Sequence, residues 1–118
     1  MRNILLTAAL SVAATLLVVY NLPAAGLVTE TVKLENARVN VTETHNPAGI
    51  TRDPYTRPSD QVIVFVDDCT YDRIDPKTGQ ATRVVRKAGE VIWHNKGEFA
   101  PSLANKGGAY RTVIIGLK

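Results

Sequence analysis

Cysteine is nearly absent from this chain, Cys69 standing alone. One thiol cannot close an internal disulfide, so the fold must be held by its core. Cys69 reads as a small buried apolar residue, or as a reactive or intermolecular thiol. Histidine is scarce too, with only His45 and His94 present. A metal centre needs three or four imidazole, thiolate or carboxylate donors converging on one point. Two histidines leave little to build one from. A strong excess of charge is also missing: 14 Lys and Arg stand against 11 Asp and Glu, interleaved along the chain. Nucleic-acid binding calls for a clustered basic face, and none is present. The densest basic run, Arg83, Arg86 and Lys87, reads as a solvated strand edge. Neither Ser59 nor Ser102 lies in a Gly-x-Ser-x-Gly setting, so nucleophilic catalysis has no support. Past residue 26 no segment sustains a 3.6-residue apolar period over three turns, which excludes a helical domain.

The first 26 residues differ from the rest. Arg2 supplies a basic start, Ile4 to Val19 is uncharged and apolar, and Ala24, Ala25 and Gly26 are small. That is the pattern of a secretory signal peptide cut before Leu27. The rival is an uncleaved membrane anchor, since a helix of about 20 apolar residues spans a bilayer. Residues 27–118 are then a single exported domain, periplasmic or extracellular, or one held at the membrane by that helix. The triplet Asn40–Val41–Thr42 matches a glycosylation acceptor, which matters only in a host that glycosylates.

The domain reads as short strands between turns. Leu27 to Leu34 is an entry segment or first edge strand. Ala37 to Thr44 alternates, with Ala37, Val39 and Val41 on one face and Arg38, Asn40 and Thr42 on the other, as in a half-buried strand. His45 to Gly49 breaks the pattern. Ile50 to Asp60 carries Pro54 and Pro58 and reads as a loop or irregular edge. Gln61 to Val66 is a β-branched and aromatic run, as expected of a strand covered on both faces. Tyr71 to Ile74 and Ala81 to Arg86 flank a hairpin turn, Asp75–Pro76–Lys77–Thr78–Gly79. Val91 to Trp93, Ser102–Leu103 and Tyr110 to Ile115 complete the set. Such spacing indicates an all-β sandwich or barrel. Phe65, Tyr71, Trp93 and Tyr110 are expected as core aromatics, with a pocket wall as their other use.

The order of these pieces resembles the cupin superfamily. The resemblance runs from about Ala37 to Lys118. It is carried by Pro47 and Gly49, the Val62 to Val66 strand, the Asp75 to Gly79 hairpin, Gly89 to Gly97, Asn105, Gly107–Gly108 and the final strand. It implies a small jelly-roll double-stranded β-barrel, and commonly a homodimer. In that family a His-x-His pair, a Glu and a later His hold a divalent ion. Here those places fall on Tyr55, Arg57, Gln61 and, on or next to it, Ala100. Tyr and Gln are weak ligands, Ala is none, and a guanidinium repels a cation.

The expectation is therefore a cupin-like domain without the usual metal site and with no cofactor. Its role is non-catalytic, binding a small polar or anionic ligand or a protein partner. Arg57 is the candidate anchor, because its planar fork suits carboxylate or phosphate. Tyr55, Gln61, Trp93 and His94 are its candidate neighbours. Alternation sends Trp93 and His94 to opposite faces, in either order. The opposing view of Arg57 puts it on the surface, paired with Asp53 or Asp60. The opposing view of the domain is a metal-dependent cupin enzyme of dioxygenase or isomerase type, with rearranged ligands such as His94, His45 or Asp60.

Overall fold

In this computed structural model residues 27–118 are described. The leader or anchor segment lies outside the described residues. Eleven strands follow one another: β1 (Thr29–Glu35), β2 (Val39–Asn46), β3 (Thr51–Arg52), β4 (Tyr55–Thr56), β5 (Gln61–Phe65), β6 (Cys69–Ile74), β7 (Ala81–Arg86), β8 (Val91–His94), β9 (Phe99–Ala100), β10 (Ser102–Asn105) and β11 (Tyr110–Leu117). A five-stranded sheet runs β1-β2-β11-β5-β8, a four-stranded sheet runs β3-β10-β6-β7, and β4 pairs with β9. Every pairing is antiparallel. This is an all-β, cupin-like jelly roll.

The strongest apolar run in the sequence, β5, is hydrogen-bonded between β11 and β8. Its buried residues are Gln61, Ile63 and Phe65. Ile63 and Phe65 join Cys69, Tyr71 and Tyr110 in the core, with Val84, Ile92, Leu103 and Ile114 packed around them. The Tyr71 and Tyr110 rings stack with centroids 6.5 Å apart, within the range at which aromatic pairs attract. The hairpin after β6 forms where its sequence indicates. Asp75 accepts hydrogen bonds from the Lys77 and Thr78 amides, and Gly79 adopts a φ of 74° that a side chain would resist.

Two expectations are corrected here. The alternation of β2 is present, but its polar row is the one that faces inward. Asn40, Thr42, Thr44 and Asn46 line the space between the sheets, beside Thr112 and Ile114 of β11. Val39 and Val41 lie on the outer face. Period 2 defines the two rows, but not which one is buried. The second correction concerns β5: Val62 and Val64 share the outer face with Val91, Trp93, Val113 and Ile115 by register, and are only half-buried. One face of this strand therefore remains uncovered among the described residues. For the same reason Trp93 is not a core aromatic; it is 50% exposed.

Candidate functional site

The inward polar row leads to one large cavity, about 1080 Å³, between the sheets. That is slightly above the roughly 300–1,000 Å³ usual for small-molecule sites. Its wall combines Ile63, Phe65, Ile92 and Leu103 with Thr42, Thr44, Thr112 and a group of residues around Arg57.

Arg57 follows β4 in a segment pinned by backbone bonds. The Arg57 amide donates to the Glu98 carbonyl at 2.9 Å, and the Gly97 amide donates to the Arg57 carbonyl at 2.9 Å. Gly97 makes this possible at a φ of 85°. Asp60 adds a third tie by accepting from the Lys96 amide at 2.8 Å. The turn after β8 therefore fixes the backbone of the anchor, and the surface reading of Arg57 is overturned. The residue is 6% exposed. Its Nη1 donates to the Tyr55 hydroxyl at 2.9 Å and to Gln61 Oε1 at 3.1 Å. Neither Asp53 nor Asp60 pairs with it. Among the described residues no carboxylate lies within ion-pair range of Arg57, and its Nε is buried without a partner.

The residues singled out in the sequence are largely brought together. Tyr55 lies directly across from Ala100 in the β4–β9 pair, and Ala100 is fully buried. Gln61 lies across from His94 in the β5–β8 pair and is 6% exposed. His94 thus takes the inward side of β8. Its Nδ1 is 2.9 Å from Glu98 Oε1, and that bond holds the Glu98 carboxyl below its ordinary range. Trp93 takes the outward side by register, also borders the cavity, and donates its indole N–H to Asn95 Oδ1. His45 is exposed on the outer face of β2, away from this group.

Sequence reasoning missed Arg52. It lies in β3, and its guanidinium carbon stands 5.0 Å from the centre of the Tyr55 ring, while that of Arg57 stands 5.4 Å from the same ring. Burial pulls its pKa down, and the nearby Arg57 adds to the effect. No local pattern marks it, because Pro54 interrupts the alternation between Arg52 and Tyr55. The inward polar row of β2 was visible as a row, but not as a cavity wall.

A divalent cation does not fit the four places where the cupin motif would hold one. They present a phenol, a guanidinium, a carboxamide and a methyl group, with the fixed charge of Arg57 in their midst. No cluster of three or more His, Cys, Asp or Glu suited to a metal occurs among the described residues.

No protein-family model matches this chain, and no curated protein matches it. Solved structures do. A cupin domain from Bordetella pertussis Tohama I aligns with a TM-score of 0.67 at 22% identity, over 77% of this chain and 93% of that one. A cupin superfamily protein from Desulfitobacterium hafniense DCB-2 aligns at 0.57 and 15% identity, over 81% and 88%. The polyketide cyclase RemF from Streptomyces resistomycificus aligns at 0.59 and 17% identity, over 76% and 64%. Identities this low speak for architecture alone, and on that ground residues 27–118 have the cupin fold.

Proposed function

We propose that this chain is an exported, non-catalytic cupin-like protein that binds a small anionic molecule in the cavity, with Arg57 as anchor. The observation that carries the reading is a buried guanidinium with no carboxylate partner among the described residues. An unpaired buried charge is costly, and an anion entering the cavity supplies the missing partner. Tyr55 and Gln61 hold one edge of the fork, so the guanidinium is oriented before the ligand arrives. Isothermal titration with acetate, succinate and inorganic phosphate tests this. Saturable binding that Arg57→Ala abolishes is expected; no binding of any of them sinks the reading. The metal-enzyme alternative is tested by elemental analysis of the purified protein, with thermal melts plus and minus divalent ions. Stoichiometric metal and a metal-dependent shift would revive it.

A second reading concerns partners and rests on the outer face of the five-stranded sheet. Val39, Val41, Val62, Val64, Val91, Trp93, Val113 and Ile115 make it apolar across four adjacent strands. We propose that a second copy of the chain covers it. Four strands about 4.8 Å apart, eight residues long in β2 and β11 but five in β5 and four in β8, give a flat face of roughly 400 Å², the apolar centre of an interface that usually takes ~800 Å² per partner. Light scattering should give a dimer mass that Trp93→Glu halves. A monomer at tens of micromolar would refute it.

A further inference from the structure

We propose that Arg52 is the second anchor of this site and that the ligand is a dianion, a dicarboxylate or a phosphate monoester. The inference rests on the anion-binding reading above and extends it to the charge of the ligand. Arginines elsewhere in the fold are either paired or exposed. Arg83 is bound to Asp72, Arg86 to Glu90 and Arg111 to Asp67. Arg38 and Arg73 are exposed and have water instead. Arg52 and Arg57 have neither arrangement in full. Both line the cavity, and neither has a carboxylate in ion-pair range among the described residues.

What Arg52 does have is neutral. Its Nε donates to the Asp53 carbonyl and its Nη2 to the Pro101 carbonyl, which fix its direction without compensating its charge. The Tyr55 ring lies against both guanidiniums, so the two charges stand within about 10 Å of each other, close enough to repel where water is excluded. An aromatic ring attracts each cation weakly, but it leaves two positive charges uncompensated at one cavity wall. A monoanion pairs with one and leaves the other. A dianion compensates both. Glu30, Asp53 and Glu98 also border the cavity, but none is within ion-pair range of either guanidinium, and Thr42, Thr44 and Thr112 offer an uncharged stretch of wall for the body of a polar molecule.

The test is a matched series titrated into the full exported domain at constant ionic strength. Butyrate is the monoanion; succinate, glutarate, adipate and methyl phosphate are the dianions. Chain length samples the spacing of the two charges, and methyl phosphate separates the phosphate arm from the carboxylate arm. At least one dianion should bind tenfold more tightly than butyrate. In Arg52→Met, which keeps the stem against Tyr55, that ratio should fall below threefold. If the methionine variant does not fold by circular dichroism, Arg52→Lys serves. It keeps a charge but loses the fork, and should cut the ratio at least threefold. A ratio near one in the wild type, or one that survives either folded variant, overturns the dianion inference and leaves Arg57 as a single anchor. Failure of every anion, butyrate included, removes the anion site itself.

Discussion

Replacing Arg57 by Met should make the ligand-free protein more stable while abolishing anion binding. Met keeps most of the stem volume and its contact with Tyr55. Two charge-assisted hydrogen bonds from Nη1 are lost, at about 1.5–3 kcal/mol each. Against this, burial of a lone ion costs several kcal/mol in a real protein. The partnerless Nε adds about 1–3 kcal/mol to that side. The Tyr55 hydroxyl and Gln61 carbonyl, once released, face an open cavity where water can replace the guanidinium. The balance favours the variant by about 1–2 kcal/mol, or roughly 5–15 °C in Tm for a domain of this size. The assay is urea denaturation and thermal melting in low-salt buffer with a non-binding counter-ion. A saturating anion at a hundred times Kd should then stabilise only the wild type, by about 2.7 kcal/mol. If Arg57→Met is destabilised by more than about 1 kcal/mol, the guanidinium is part of the scaffold rather than a held-open site, and the energetic argument fails.

The carboxyls of Asp67, Asp72, Asp75, Glu90 and Glu98 all sit below their ordinary values, because hydrogen bonds from Arg111, Arg83, the Lys77 and Lys87 amides, and His94 favour the charged forms. Groups depressed on folding stabilise the protein above their unfolded values of about 4 and lose that contribution as pH falls through the folded ones. Tm measured from pH 6 to 2.5 should hold down to about pH 5 and then decline, and Asp67→Asn should make the decline shallower; an unchanged slope would refute the assignment to the Asp67–Arg111 pair. Burial raises the Cys69 thiol to about 11, so native protein at pH 8 should resist a thiol reagent for hours, whereas urea-unfolded protein should react within minutes. Equal rates in the two states would contradict its placement in the core. Asn105 is 5% exposed and donates to the carbonyls of Asn46, Pro47 and Gly108 while accepting from the Gly107 amide. Asn105→Ala should cost about 2–4 kcal/mol by urea denaturation, from several buried hydrogen bonds at about 1 kcal/mol each plus stranded carbonyls; a cost under 0.5 kcal/mol would refute that accounting.

Strands were legible because period-2 alternation and turn chemistry are local properties. The Asp75 to Gly79 hairpin needs only its own side chain, its own amides and one left-handed glycine. The direction each strand faces was not legible. Asn40 and Val41 look alike to a period-2 reading, and only the assembled sheet reveals that the asparagine faces the cavity. The same ambiguity holds for Trp93 and His94, and register resolves it, since His94 lies opposite buried Gln61. β9 (Phe99–Ala100) was not foreseen, because two residues give no period and its partner β4 is over forty residues earlier. The sequence marks Arg57 only as a candidate. Its burial depends on the Gly97–Glu98 clamp, a contact between two loops that no window of the sequence contains.

The substitutions at the motif positions are coherent when read together. Losing metal ligands one at a time would leave a partly acidic pocket that still attracts cations. By the cupin resemblance Arg57 and Gln61 fall at two donor positions, and the cavity wall carries two guanidiniums that repel cations. On the proposed anion-binding reading, the positive centre of the site is a fixed guanidinium rather than an ion with open coordination positions. An arginine cannot accept a ligand's lone pair or change oxidation state; what it can do is pair with an anion through two parallel N–H bonds. The inward row of threonines and asparagines on β2 fits the same purpose, since neutral hydrogen-bonding groups accommodate the body of a polar anion without competing for its charge. The apolar side chains that would ordinarily fill this row lie on the opposite face of the same strands, as Val39 and Val41 do. Turning the polar face inward removes apolar contacts from the core and exposes others outside. A cavity open to a ligand and an outer face open to a second copy follow from that one choice of register.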